Sequence, residues 1–160
     1  MTVSNSTPLI ALAQIGLFDV LRDLFGRIRI AKAVYDETVT TGREKGGARR
    51  EVSAAEWVEA VEVQDRLAVE VLLDELDRGE AETIVLARQL NAQMVLMDEK
   101  KGRRKLQVLG MPMMGTLGIL LAAKEAGLIP AIRPALEALQ QSRFSLNRRL
   151  VEQVLARAEE

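Results

Sequence analysis

Met94-Val95-Leu96-Met97-Asp98-Glu99 is the stretch that decides the fold class. Four consecutive apolar residues without polar alternation fit a strand buried on both faces, as in a parallel sheet covered by helices. Asp98 follows at the carboxyl end, where open α/β sheets bind ligands. Outward from this run, strand and helix signals alternate. Upstream, residues 57–63 read as a strand and 67–76 as a helix, which Gly79 breaks before a second helix over 80–91. Downstream, 102–109 is helical and stops at Gly110, 111–114 is a strand, and 116–126 is a helix ended by Gly127. Near the start, 1–4 is a strand, and Thr7-Pro8 reads as a helix N-cap followed by Pro at the first helical position. Two short helices follow, carrying Leu9, Ile10 and Leu12, then Leu17, Val20 and Leu21. Residues 27–30 form the second strand, 31–41 a helix, and the glycine-rich segment 42–50 a flexible loop. The alternation predicts a single three-layer α/β/α domain with a central parallel sheet of about five strands.

Composition narrows the chemistry. With 160 residues, 48% of them apolar, the chain can bury a real core as one domain. It has no cysteine and no histidine, which excludes disulfides, thiolate or imidazole zinc sites and a Ser-His-Asp triad. The ligands that remain are oxygen donors, which suit Mg²⁺ or Mn²⁺. A net charge of −1 gives no global footprint for nucleic acid, so any such contact must come from a local patch. The opening residues lack the form of a signal peptide, and no apolar run approaches the ~18 residues of a membrane span. A cytoplasmic protein without a membrane segment is expected. The tail, residues 131–160, differs from the rest: helices over 135–141 and 146–158 follow without a strand. Leu146, Leu150, Val151, Val154 and Leu155 make one apolar stripe that packs on the core or, alternatively, serves a homodimer contact or a lid over RNA.

The carboxylates carry the functional signal. On a helical wheel, Glu80 falls between Ala87 and Ile84 on an apolar face, while Glu82 points outward. Asp77 and Glu80 also have capping-box spacing, a purely structural use. Glu37 borders a buried stripe while Asp36 faces solvent. Asp98 and Asn5 each follow a strand end, where a helix N-cap or a turn would be the plainer roles. Acids gathered at one sheet edge repel one another unless a cation, a proton or a basic partner is present. Lys100, Lys101, Arg103, Arg104 and Lys105 come directly after Asp98. Cations at a helix start oppose its dipole, so phosphate binding is one explanation and a solvated basic face the other. With aromatics at 3%, nucleic-acid contact should be mainly to the backbone.

Four motifs, in order and spanning almost the whole chain, carry a resemblance: Ser4-Asn5-Ser6-Thr7-Pro8-Leu9-Ile10-Ala11-Leu12, Gly79-Glu80-Ala81-Glu82, Met97-Asp98-Glu99 with Gly102-Arg103-Arg104, and Gly115-Thr116-Leu117-Gly118. Together they resemble the PIN-domain superfamily, nearest a prokaryotic branch related to the VapC toxin ribonucleases. The resemblance implies adjacent first and fourth strands, with Asn5 and Asp98 meeting at the switch point. The superfamily's acidic positions map onto Asn5, Glu37, Glu80 and Asp98. Asn5 departs from the usual Asp, which removes one charge; Glu99 could replace it. The resemblance further implies a metal-dependent ribonuclease acting on RNA or single-stranded nucleic acid. In it Asn5, Glu80 and Asp98 hold Mg²⁺ or Mn²⁺, and Glu37 ligates a second ion or orients water. Ser6 or Thr7, and Thr116, line the site, Lys100, Lys101, Arg103 and Arg104 contact the nucleic acid, and an antitoxin protein is a further partner. A catalytically inactive PIN-like binding or regulatory module, which Asn5 favours, and an unrelated flavodoxin-like binder remain as alternatives.

Overall fold

The computed structural model describes residues 1–42, 47–142 and 144–160. Five strands, β1 Thr2–Ser4, β2 Ile28–Ala31, β3 Val58–Val61, β4 Met94–Leu96 and β5 Met113–Met114, form one parallel sheet in the order β3-β2-β1-β4-β5. The chain first builds outward from β1 to β3, then crosses to the other side of β1 for β4 and β5. The order therefore reverses between β1 and β4, whose register pairs Ser4 with Leu96. Helices are α1 Ser6–Gln14, α2 Asp19–Phe25, α3 Lys32–Tyr35, α4 Arg49–Ala54 and α5 Arg66–Leu72. After them come α6 Arg78–Gln89, α7 Lys100–Val108, α8 Thr116–Glu125, α9 Arg133–Gln141 and α10 Arg148–Arg157. Val95, Leu96 and Met97 are fully buried, as a strand covered on both faces requires. This is the three-layer α/β/α architecture that the alternation implies.

Several local expectations change. The N-cap of α1 is Asn5, not Thr7, so Pro8 stands third in the helix and the Thr7 hydroxyl is released to the site. The expected helix over 31–41 is α3 followed by a wider π-helical turn, Asp36–Thr40, which rotates the side chains away from a 3.6-residue wheel. Asp36 is consequently half-buried, with Thr40 Oγ1 donating to it at 3.0 Å, and Glu37, expected to border the buried stripe, is the more exposed of the two. The loop expected over 42–50 falls in part outside the described residues, and its end is already helical from Arg49, anchored by buried Val52. In the tail, α10 packs against α8 and buries Val154, whereas Leu150 stays 45% exposed, so the apolar stripe is only partly covered. No helix among the described residues is long and apolar enough to cross a membrane.

Candidate active site

The switch point brings the ends of β1 and β4 together, and Asn5 is tied there by its backbone N–H, which donates to Leu96 O at 2.9 Å. Its amide Nδ2 donates to Glu99 Oε2 at 2.9 Å, and Thr7 Oγ1 donates to Glu99 Oε1. Glu99 therefore sits at the N-terminus of α7 with both oxygens turned into the crevice. The Asn5 amide, read from the sequence as an oxygen ligand, is oriented here by its neighbours. Its Oδ1 is turned toward Thr83 Oγ1, 3.5 Å away, and its N–H group faces the acids. The reason is hydrogen-bond demand: a carboxylate only accepts, so Glu99 draws a donor, which an amide can supply and an Asp cannot. The charge missing at position 5 is present one strand away at Glu99.

Glu37, on the π-helical turn, reaches back so that Ser6 Oγ donates to its Oε2. Its other oxygen lies against the first turn of α6, where a Cβ on Gly79 would meet Oε1 at 2.3 Å. Gly79 is thus a glycine because the carboxylate occupies the side-chain position, and a carboxylate at a helix N-terminus is favoured by the helix dipole. Glu80 follows in the same turn, buried, and closes a capping box: Asp77 Oδ1 accepts from Glu80 N at 2.8 Å, and Glu80 Oε1 accepts from Asp77 N at 3.2 Å. The capping role weighed from the sequence is real, and the inward aspect of Glu80 stands with it.

Glu82 is not outward. It is 3% exposed, accepts from Ala33 N at 3.2 Å, and lies 3.6 Å from Arg66 and 3.9 Å from Arg78. The wheel assumed one wet face, but α6 is covered by α3 and α5 as well as by the sheet, so its residues are buried from Gly79 through Ala87. Glu82 thereby caps the start of α3, the element that leads into Glu37.

Asp98 does not cap its own following helix. It reaches across to α8, accepting from Thr116 N at 2.8 Å and from Thr116 Oγ1 at 2.6 Å. Gly115 permits the approach, since a Cβ there would stand 2.9 Å from Asp98 Oδ1 and 3.2 Å from an Arg103 nitrogen. Arg103 leaves the basic run for the site, donating from Nη1 to Met97 O at 2.9 Å. Lys105 pairs with Glu75 at 3.1 Å. Lys100, Lys101 and Arg104 are exposed and make no ion pair among the described residues.

Burial pushes the carboxyls of Glu37, Glu80 and Asp98 above their ordinary range, and the nearby charge of Glu99 adds to the rise in each case. Hydrogen bonds from Ser6, from Asp77 N and from Thr116 oppose it, as does Arg103 at Asp98. Glu99 is therefore electrostatically common to the whole group. Among the described residues no three acids are drawn close enough to form a ready-made ligand set. The donor chemistry nonetheless fits a hard divalent cation, because Mg²⁺ commonly takes one or two carboxylates and completes its shell with water and substrate phosphate. Asp98 and Glu99 offer two such carboxylates, and the charge of Glu99 is felt at both Asp98 and Glu80.

A family model described as a PIN domain, DUF3368, matches the chain over residues 1–160. The chain belongs to this PIN-domain family, a nuclease-type fold. Among curated proteins no match was found.

Proposed function

We propose that the protein is a divalent-metal-dependent ribonuclease, hydrolysing phosphodiester bonds in RNA or single-stranded nucleic acid. The observation that supports this most is Glu99, which returns to the switch point the charge that Asn5 lacks and is held by Asn5 and Thr7. Asp98, Glu99 and Glu80 would hold Mg²⁺ or Mn²⁺. When bound, the ion supplies Lewis-acid polarisation of the phosphate and a more acidic water. Thr116 fixes both Asp98 oxygens, and Arg103 beside them offers positive charge to a phosphate. Glu37, whose proton affinity is raised by desolvation of its carboxylate, would orient the attacking water and accept its proton. Exposed Lys100, Lys101 and Arg104 guide the backbone past the crevice. On the VapC likeness of its motifs, such an enzyme would act in the cytoplasm as the toxin of a toxin–antitoxin pair.

A second reading, an inactive nucleic-acid-binding module, is favoured by the amide at position 5 and by the spread of the acids. Cleavage of mixed RNA with and without Mn²⁺ separates the two. The nuclease reading expects metal-dependent products that Asp98→Asn and Glu99→Gln each abolish. Metal-independent binding with no products in the wild type, together with activity in Asn5→Asp, would support the inactive module.

A further inference from the structure

A cleft of about 420 Å³ opens from Asp98 and Arg103 and runs between the β5–α8 edge and α10. Its floor is apolar, made by Met113 and Met114; Gly118 admits Met114, whose Cγ would lie 2.8 Å from an added Cβ. The facing wall carries Phe144 and Leu150 together with the amides of Asn147 and Gln153. Phe144 is the aromatic residue lining this cleft, while Phe18 and Trp57 pack on each other elsewhere with ring centroids 5.1 Å apart. Asn147 Oδ1 is used as the N-cap of α10, accepting from Leu150 N at 3.1 Å, which leaves its amide hydrogens for another acceptor. Gln153 is exposed and makes no side-chain hydrogen bond among the described residues.

The occupant can be deduced from this chemistry. The volume lies at the low end of the ~300–1,000 Å³ range of small-molecule sites. Its walls combine an aromatic face, thioethers and amides, which suit a planar ring with hydrogen-bonding edges. A second phosphate fits less well, because away from Asp98 and Arg103 the walls offer amides and apolar side chains, and Arg157 lies 4.0 Å from Glu125. Because Asp98 belongs to both the cleft and the acidic crevice, the cleft opens directly beside the carboxylate at which the scissile phosphate would bind. We infer that the cleft is a nucleobase subsite: it takes the base next to the scissile phosphate between Phe144 and the methionine floor, and reads its edge with Asn147 and Gln153. The inference rests on the nuclease reading and adds base preference to a site otherwise directed at the backbone.

Fluorescence anisotropy of the full chain with short homopolymers of A, C, G and U, in EDTA to prevent cleavage, tests it. Phe144→Leu keeps apolar bulk but removes the ring face and should weaken binding of every homopolymer about tenfold, the scale of one lost stacking platform. Gln153→Ala, at an exposed position, should change the ranking among the four. Unaltered affinities and ranking in both folded variants would overturn the subsite and leave the nuclease reading intact. Failure of the wild type to bind any homopolymer, even with Mn²⁺ and cleavage-blocked RNA, would overturn both.

Discussion

Replacing Gly79 by alanine separates stability from function at this site. The new Cβ would fall 2.3 Å from Glu37 Oε1 and 2.9 Å from its other oxygen, so the carboxylate must leave. The group in the way is the end of a flexible side chain on a turn, which can swing to solvent. Three effects then compete on stability. Alanine in a helix gains up to about 1 kcal/mol over glycine, less in the first turn. Loss of the Ser6–Glu37 hydrogen bond costs about 1 kcal/mol. Withdrawal of the Glu37 carboxylate relieves part of the repulsion that raises the proton affinity of Glu80. The sum lies within about 1 kcal/mol of zero, a change in Tm of no more than about 4 °C for a domain of this size. Activity should behave differently: misplacing a water-orienting group by an ångström or more lowers kcat about 100-fold. Thermal melts and single-turnover RNA cleavage on the same preparation provide the comparison. Gly79→Ala with wild-type turnover would show that Glu37 has no part in the chemistry, and a variant that fails to fold would refute the claim that the carboxylate can move aside.

Three further outcomes are expected. Because Glu37, Glu80 and Asp98 have raised proton affinities, the folded state holds their protons more tightly than the unfolded chain does. Their destabilising effect is absent below the ordinary carboxylate range and accrues as pH rises through the raised values. Saturating Mn²⁺ should therefore stabilise the fold at neutral pH, by about 2.7 kcal/mol at 100 times its Kd, and the gain should vanish on acidification, as calorimetry at several pH values will record. Glu160 shows the opposite sign: hydrogen bonds from Ile132 N, Arg133 N and Lys124 hold its carboxyl down at about 2. Its contribution is present above the ordinary glutamate range and lost as pH falls toward 2, so Glu160→Gln should lower Tm at pH 6 with a gap that closes in acid. Reversing Lys100 and Arg104 to glutamate should weaken RNA binding alike for all sequences and flatten its salt dependence, each lost phosphate contact reducing the slope by about 0.7, with melting nearly unchanged.

How far the sequence could be read depended on whether a signal was local. The run 94–97 is apolar because both faces of β4 are covered, so it revealed the parallel sheet directly, and the alternation around it gave the five strands. Glu82 was misjudged because a wheel shows period but not how many faces are packed. Asp36 was misplaced because nothing local announces a π-helical turn. The orientation of Glu99 depends on α7 beginning at Lys100, two residues earlier than the glycine suggested, and on a donor from the other end of the chain. The motif glycines were visible as a pattern, but their reason lies across space: Gly79 makes room for Glu37, Gly102 for Met97, Gly115 for Asp98 and Gly118 for Met114. A linear reading names such positions without giving their partners.

The central claim is that Asp98, Glu99 and Glu80 form a hard-cation site despite Asn5. Anomalous diffraction from crystals soaked in Mn²⁺ addresses it without relying on turnover. The predicted result is a peak in the crevice with an Asp98 oxygen and a Glu99 or Glu80 oxygen at about 2.0–2.3 Å, the coordination distance of small hard cations. An empty crevice in crystals that take up Mn²⁺ elsewhere, with Asn5 still donating to Glu99, would contradict it.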